Sequence, residues 1–319
     1  MKNYNLTEIA RLSNTTPSTV SRVLNHCGGI DDSTRERVFN AADSLSAVKE
    51  GVGSCDLYFI VPEVPNFFWK EKLYSGLLNV DSRFNCKYNI YSGLGGKTVL
   101  RYLKEAEEMR ARAVIAVCGQ SDDARAMLEK LSEHSLVILL SEYSDITNTF
   151  YIGSDAERDG FLMGEYFAAH SSGRPVIFTD SGNRNCNARV RGFSKAADLK
   201  NAVKIELPAY NKTFPAKTAA LLSSLPASDR YSVYSSDGVL DEIKLAAKKA
   251  GIYEKCEFFG HDLRCSPDKK QNAVRAAVNQ KAETQARRAV AAAEEYLKYG
   301  LFPESKNTYV PSELAVYNA

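Results

Sequence analysis

Short apolar runs alternate with amphipathic stretches over most of this chain, from residue 56 to the C-terminus. Nine runs have the length and the β-branched or aromatic content typical of strands. They cover residues 56–61, 87–91, 113–118, 136–140, 149–153, 175–179, 203–207, 232–236 and 256–260. Helix-compatible stretches such as 239–251 and 283–300 lie between them. The alternation predicts an α/β body of parallel sheets covered by helices on both faces, and nine or more strands suit two sheets better than one.

The composition indicates a globular protein, with 44% hydrophobic and 25% charged residues. No apolar run approaches the roughly 18 residues of a membrane span, and the N-terminus lacks an apolar signal core, so we expect a cytoplasmic protein. Seven scattered cysteines without a CxxC pair favour reduced thiols over disulfides. Cys256, His261 and Cys265 could ligate zinc, but no fourth ligand is evident. We therefore expect no metal and no cofactor.

The first fifty residues are not basic overall. They contain six Lys or Arg residues (2, 11, 22, 35, 37, 49) and six Asp or Glu residues (8, 31, 32, 36, 43, 50), which sum to zero. A nucleic-acid interface in this part of the chain must therefore be argued from local arrangement, because bulk charge gives no support for it.

The segment NTTPSTVSRVLN, residues 14–25, has the features of a short helix with two unlike sides. Thr16 suits the N-cap, and Pro17 suits the first helical position. Val20 and Val23 form an apolar side. A helix precedes this segment, a tight break lies at 13–15, and a third helix is expected to start near Asp31 or Asp32. Three short helices with a tight break between the first two predict a helix-turn-helix domain.

The polar side of this second helix suits DNA. Pro17, Ser18 and Arg22 are expected at base edges, where arginine matches the acceptors of guanine. Short donors on Thr19, Ser21 and Asn25 suit phosphate oxygens. The full expected DNA-binding set is Leu6, Thr16, Pro17, Ser18, Thr19, Ser21, Arg22 and Asn25. The alternative is a small three-helix bundle that contacts other proteins.

The stretch LTEIARLSNTTPSTVSRVLN resembles the N-terminal signature of the lactose-repressor (LacI) family. The matching positions are Leu6, Glu8, Ile9, Ala10, Thr19, Val20, Ser21, Arg22, Val23, Leu24 and Asn25. The resemblance implies operator binding, with the two residues after the turn helping to select the operator. Here these residues are Pro17 and Ser18, which offer little direct readout, so Arg22 is expected to carry more of the base discrimination.

The linker departs from that family. Relatives carry a Y-x-P-N-x-x-A-x-x-L segment that forms a hinge helix and wedges a leucine into the minor groove. Residues 46–55 of this chain lack both features, and EGVGS (50–54) has the composition of a flexible tether. We therefore expect a shortened linker at 49–55, two loosely joined DNA-binding heads and an operator that stays nearly straight.

The body resembles the type I periplasmic-binding-protein fold that forms the effector domain of the same family. The motifs are SDAERDG, NARVRGF, SSDG, FFGHDL and AAVNQ. The resemblance implies an effector, presumed here to be a sugar or sugar derivative, held by Arg189 and Asp262. Aromatic side chains are expected to pack against the sugar ring. The full expected set is Phe68, Trp69, Asp155, Arg189, Tyr210, Asp237, Asp262 and Gln280. Alternatively the aromatic residues belong to the core, Arg189 and Asp262 form a surface or interlobe ion pair, and Asp155 caps the helix that begins at Ala156.

The expected architecture is thus a three-helix helix-turn-helix domain and two doubly wound parallel-sheet lobes. We place the DNA-binding domain at 1–48, the linker at 49–55 and the two-lobed body at 56–319. Lobe 1 takes about 56–154 and 282–305, and lobe 2 takes about 155–281 and 306–319. The Gly-rich turn YSGLGGKT (91–98) has tyrosine where a phosphate loop needs its first glycine, so no ATP site is expected.

These patterns predict a transcriptional regulator that binds operator DNA as a homodimer and responds to a small molecule. The alternative is a sugar-binding sensor whose operator binding is weak or lost. No catalytic elbow or serine–histidine–aspartate set is recognisable among only four histidines, so an enzyme is not indicated.

Overall fold

The computed structural model describes most of the chain: residues 6–24, 30–31, 33–35, 37–38, 41, 55–63, 66–92, 96–118, 121–208, 213–226, 229–263 and 273–317. Asn25, Tyr210, Cys265 and all of the predicted linker except Cys55 lie outside the described residues.

The N-terminal segment forms helices α1 (Leu6–Ser13) and α2 (Pro17–Leu24). The Oγ1 atom of Thr16 accepts a hydrogen bond from the Thr19 N–H at 3.1 Å, which confirms the predicted cap of α2. Further along, Asp31 Oδ1 accepts the Thr34 N–H at 2.9 Å at the start of the third helical segment. Ile9, Val20, Val23 and Val38 are buried together in one small core. This packing of α1, α2 and the third segment is the predicted helix-turn-helix arrangement.

The body contains eight further helices and twelve strands within the described ranges. The helices are α3 (Phe67–Leu77), α4 (Gly96–Glu108), α5 (Asp122–Ser132), α6 (Ala156–His170), α7 (Arg184–Ala196), α8 (Phe214–Ser223), α9 (Leu240–Lys249) and α10 (Ala282–Tyr299). The strands are β1 (Leu57–Glu63), β2 (Cys86–Ser92), β3 (Ala113–Ala116), β4 (Leu136–Leu140), β5 (Phe150–Gly153), β6 (Arg174–Thr179), β7 (Val203–Glu206), β8 (Tyr231–Ser235), β9 (Cys256–His261), β10 (Val274–Asn279), β11 (Asn307–Tyr309) and β12 (Glu313–Val316). No described helix is both long and apolar enough to cross a bilayer.

The strands form two six-stranded sheets. The first has the order β11-β5-β4-β3-β1-β2, and all of its neighbouring strands run parallel. The second has the order β12-β10-β9-β8-β6-β7 and is parallel except for the pairing of β10 with β12. The fold is therefore a helix-turn-helix segment followed by two doubly wound α/β lobes, as predicted. We call the lobes of the first and second sheets lobe 1 and lobe 2.

Helices cover both faces of each sheet. In lobe 1, α3 and α10 bury apolar side chains on one face, and α4 and α5 do so on the other. In lobe 2, α8 and α9 cover one face, and α6 and α7 cover the other. This two-sided coverage explains why the strands appear as continuous apolar runs in the sequence.

The third crossing between the lobes lies later than predicted. Strand β11 pairs with β5 in the first sheet, so lobe 1 extends beyond residue 305 to Tyr309, and lobe 2 resumes only near β12. The prediction of a change at 305/306 was wrong because β11 is a three-residue edge strand with no apolar run. The strand prediction also missed β10 and β12.

Glycines set the close contact between α6 and α7. A Cβ atom added to Gly160 would lie 1.9 Å from the Arg189 backbone oxygen, and one added to Gly192 would lie 1.9 Å from that of Glu157. Neither neighbour is a flexible side-chain end. The two helices can therefore approach only where both positions lack a side chain.

Gly160→Ala is expected to destabilise the protein by roughly 1–3 kcal/mol, because the new methyl group forces the two helices apart. Urea unfolding followed by circular dichroism measures this change. Ser194→Ala, on the exposed side of α7, should stay within about 0.5 kcal/mol of the parent. In an isolated helix, alanine is more stabilising than glycine. A Gly160→Ala protein that is more stable than the parent would therefore contradict the packing argument.

Candidate functional site

Three chain segments cross between the lobes, at 154–155, 280–281 and 310–312. Each follows a strand of one sheet and leads into an element of the other lobe. The carboxyl ends of several strands of both sheets meet the space beside these crossings, which is where ligands bind in open α/β proteins. The candidate site is therefore built around this hinge.

Gln280 lies at the centre of the hinge. Its backbone N–H donates to Asp262 Oδ1 at 2.9 Å, and its side-chain Nε2 donates to Asp262 Oδ2. Its Oε1 accepts hydrogen bonds from Arg189 Nη2 at 2.7 Å and from Ser154 Oγ at 3.1 Å. One carboxamide thus lies between a buried guanidinium and a buried carboxylate and hydrogen-bonds to both, while Arg189 Nε has no hydrogen-bond partner among the described residues.

Helix α7 positions Arg189 for this role. A second hydrogen bond runs from its Nη1 to the backbone oxygen of Ser236, at 2.8 Å, at the end of β8. The guanidinium is therefore held between β8 and the hinge, and Arg189 is only 5% exposed. Asp262 and Gln280 are equally enclosed, at 3% and 5% exposed.

The network continues into lobe 1. Gln285, on the first turn of α10, donates from Nε2 to the Gln280 backbone oxygen at 2.7 Å. The Gln285 Oε1 atom in turn accepts a 2.5 Å hydrogen bond from Ser141 Oγ, at the end of β4. A chain of polar groups therefore runs from β8 of lobe 2, through the hinge, to β4 of lobe 1.

Three residues of this region have left-handed backbone conformations without being glycine. They are Ser141 (φ 62°), Asp262 (φ 47°) and Lys281 (φ 57°). Such conformations cost on the order of 1–3 kcal/mol each and persist where the surroundings enforce them. All three donate their backbone N–H in a hydrogen bond. The acceptors are Ile152 O for Ser141, Val278 O for Asp262 and Asn279 Oδ1 for Lys281.

Burial changes the proton affinity of the acidic and basic groups here. It raises the pKa of Asp262 to about 6, although the hydrogen bonds from Gln280 and the charge of Arg189 oppose the rise. Burial also lowers the pKa of His261 well below its usual value, assisted by Arg189. His261 Nε2 lies 3.1 Å from the Tyr234 hydroxyl and is neutral at physiological pH.

Of the predicted effector residues, Arg189, Asp262 and Gln280 come together directly. Asp237 lies nearby, one residue beyond Ser236, and its carboxylate accepts the Gly238 N–H at 2.7 Å. Asp155 does not join them. Its Oδ1 caps α6 by accepting the Arg158 N–H at 3.0 Å, which was the alternative reading of this residue.

The predicted aromatic residues are less central. Trp69 packs against the apolar core of lobe 1, which was the alternative reading of this residue. Phe68 is half-buried on the first turn of α3. The thiol of Cys256 donates to the Ile252 backbone oxygen at one end of β9, and His261 lies at the other end, so these two do not converge as zinc ligands would.

Two asparagines that the sequence did not single out connect the lobes. Asn66, which caps α3, donates from Nδ2 to the Asp262 backbone oxygen at 3.1 Å. Asn185 on α7 donates to the Ser141 backbone oxygen at 2.7 Å. The signal for Asn185 was available, because it lies four residues before Arg189 on the same helix and therefore on the same face.

A cavity of about 400 Å³ flanks the hinge, beside Asn185. Lobe 1 contributes the rings of Tyr143, Tyr151 and Tyr309, and lobe 2 contributes Arg184 and other polar side chains of α7. Asp155 lines this cavity, whereas Arg189 and Asp262 do not. This cavity is therefore displaced from the central network.

The helix-turn-helix segment presents a polar face. Thr16, Pro17, Ser18 and Arg22 are exposed, and Thr19 and Ser21 are half-buried on the same helix, whereas Val20 and Val23 are buried. Leu6 packs against the small core with part of its side chain exposed. The division of α2 into a buried and an exposed side is the one that its sequence predicts.

The fold and the hinge define a class: a two-lobed α/β body preceded by a helix-turn-helix segment. Residues 5–46 match the family of "Bacterial regulatory proteins, lacI family", so the chain carries the helix-turn-helix segment of that family. A transcriptional repressor named PurR, from Vibrio vulnificus, is 25% identical over 211 residues, which cover 61% of this chain and 60% of that repressor. The regulator DegA of Bacillus subtilis is 22% identical over 202 residues, 60% of each chain. This chain thus spans about three fifths of the curated relatives that it matches.

Solved structures share the fold of the body and of the whole chain. The transcriptional regulator CelR, in complex with cellobiose, aligns over 98% of this chain and 99% of its own with a TM-score of 0.64 and 16% identity. GanP, a glucose-galactose binding protein from Geobacillus stearothermophilus, covers 83% of this chain and 98% of its own with a TM-score of 0.69 and 17% identity. At these identities the likeness concerns the fold.

The raised pKa of Asp262 predicts a specific pH dependence of stability. Because its folded pKa of about 6 exceeds the usual value of 3.8, this group favours the folded state at acidic pH, and that contribution disappears as the pH rises through about 6. The difference in melting temperature, parent minus Asp262→Asn, should therefore decrease as the pH is raised from about 4.5 to about 7.5. A difference between the two proteins that stays constant over this range would contradict the assignment.

Proposed function

We propose that the protein is a sequence-specific DNA-binding transcriptional regulator whose operator affinity responds to a small molecule bound between the lobes. The observation that carries the proposal is the exposed Pro17–Ser18–Arg22 face on a lacI-family segment that precedes a two-lobed body. The relatives named as transcriptional regulators and the CelR complex support it.

The mechanism at DNA follows from the chemistry of α2. The helix enters the major groove with its N-terminal end, and the Arg22 guanidinium donates to guanine O6 and N7. The hydroxyl groups of Thr19 and Ser21 bind phosphate oxygens and fix the register. Thr16 ties its own side chain to Thr19, with 2.9 Å between the two hydroxyl oxygens, and so orients the latter.

A homodimer is part of the proposal. One short helix-turn-helix unit makes too few phosphate contacts for tight specific binding, and a two-fold axis doubles the contacts on a palindromic operator. A protein with this role works in the cytoplasm, where the chromosome lies.

A sugar or sugar derivative is the ligand class that we propose. The carboxylate of Asp262 can accept from two hydroxyl groups, and the Arg189 guanidinium can donate to others. The Gln280 carboxamide offers the same pair of functions as a hydroxyl group, one donor and one acceptor, so a ligand hydroxyl can replace it without leaving either charge unpaired. The sugar-binding relatives by fold support this class.

Arg22→Ala is expected to weaken binding to the preferred operator by about 1–3 kcal/mol and to relax selection at one guanine per half-site. Selection from randomised DNA, followed by fluorescence anisotropy, measures both effects. Arg11→Ala, on α1, is the matched control because it removes the same charge from an exposed position. Equal weakening by Arg22→Ala on every sequence would mean that this arginine contacts phosphate only. If the parent selects no sequence, the alternative of a sugar-binding sensor that has lost operator binding is favoured.

Asp262→Ala is expected to abolish the thermal stabilisation that sugars give, while operator binding in their absence is retained. A thermal-shift screen with cellobiose, D-glucose, D-galactose, D-allose and myo-inositol provides the measurement. Asp145→Ala, at an exposed position of lobe 1, is the control. Undiminished stabilisation of the Asp262→Ala protein would place the ligand elsewhere.

A further inference from the structure

Apart from the hinge, asparagine side chains among the described residues hold the lobes together at two points. At the first point, Asn66 of lobe 1 uses both ends of its carboxamide. Its Oδ1 accepts the Trp69 N–H at 2.9 Å and caps α3, and its Nδ2 donates to the Asp262 backbone oxygen of lobe 2 at 3.1 Å. Lobe 2 comes so close that a Cβ atom on Gly238 would lie 2.7 Å from this Nδ2.

The second point is built with the same group from the opposite lobe. Asn185 of lobe 2 donates from Nδ2 to the Ser141 backbone oxygen at 2.7 Å, and its Oδ1 accepts the Tyr143 N–H at 3.3 Å. Asn185 is itself buried. Each lobe thus sends one asparagine across the gap to the backbone of the other, and neither contact needs a ligand.

We propose that Asn66 and Asn185 form a latch that keeps the lobes closed in the absence of ligand. Arg189, Asp262 and Gln280 are enclosed while the latch is closed, so a ligand reaches them only after both contacts open. Once bound, a ligand shifts the balance between the closed and open arrangements by the difference in its affinity for the two. The latch itself consists of contacts within the protein; only its consequence for the ligand rests on the proposed function.

The chain allows a test in which only the donating atom changes. Asn66→Asp keeps the oxygen that caps α3 and loses the donor to Asp262, and Asn185→Asp keeps the acceptor for Tyr143 and loses the donor to Ser141. Asn79 and Asn187 are matched controls, since their Nδ2 atoms donate to Ser75 and Ser181 within a single lobe. Asn79→Asp with Asn187→Asp therefore adds the same two charges without touching the latch.

The separation of the lobes is measured by pulsed electron spin resonance on the full-length, ligand-free protein. Spin labels are attached to a keto-bearing amino acid introduced at exposed positions Ala126 of α5 and Lys217 of α8, which leaves the seven cysteines untouched. The parent and the double control should give one short, narrow distance distribution. The Asn66→Asp and Asn185→Asp double variant should shift to longer distances, with an open-to-closed ratio raised about fivefold or more for each lost hydrogen bond.

Three results would overturn the latch: a parent that is already open, a latch variant that stays closed, or a control that opens as far as the latch variant. Gly238→Ala gives a second test without added charge, because its methyl group displaces Asn66 and should also open the lobes. Near-ultraviolet circular dichroism of each variant establishes that it remains folded. These measurements use neither DNA nor ligand, so failure of operator binding would reject the proposed function and leave the latch standing.

Discussion

The body of this protein depends on a carboxamide placed between two buried charges. Removing a guanidinium and a carboxylate from water costs several kcal/mol each unless their hydrogen bonds are replaced. Gln280 replaces several of them: its side-chain oxygen accepts from Arg189, and its side-chain and backbone nitrogens both donate to Asp262. The same residue begins the middle crossing between the lobes, so the group that satisfies the charges also fixes the hinge. Any molecule that displaces the amide must supply equivalent hydrogen bonds, which restricts ligands to those with closely spaced hydroxyl or amide groups.

The position of Gln280 also explains how displacement of its side chain would affect the hydrogen bonds of both lobes. Its backbone oxygen is held by Gln285 on α10, and Gln285 accepts from Ser141 at the end of β4. Ser141 receives the Asn185 contact as well, so its backbone oxygen contacts α7 of lobe 2 while its hydroxyl contacts Gln285 of lobe 1. The left-handed backbone at Ser141, Asp262 and Lys281 places all three residues where the polar chain needs them, and its cost is offset only while the chain is intact. Displacing the Gln280 amide therefore weakens the support for strained backbone on both sides of the gap.

The sequence predicted the regular elements well because apolar runs and helical periodicity are local signals. All nine predicted strands form, within one or two residues at most ends. The missed strands lack that signal: β10 is the alanine-containing VRAAVN, which becomes a strand through pairing with β9 and β12, and β11 is a three-residue edge. Arg189 and Asp262 were predicted because the short motifs NARVRGF and FFGHDL resemble motifs of the lactose-repressor family. Asn66 carried no such signal, since asparagine at a helix start is ordinarily a cap. The helical spacing of Asn185 from Arg189 indicated its face but not its partner, which only the tertiary structure brings to it from the opposite lobe.

The sign of regulation follows from which lobe arrangement operator DNA favours. Ligand binding and operator binding are coupled only if each of them has a different binding free energy for the closed and the open state. If the ligand prefers the open state and the operator the closed one, the ligand releases DNA; if both prefer the open state, it promotes binding. By the same linkage, operator DNA must change ligand affinity by an equal factor in the same direction. The lobe separation measured with operator alone gives the state that DNA selects, and the same measurement with ligand alone gives the state that the ligand selects. Agreement between the two states identifies a corepressor, and disagreement identifies an inducer.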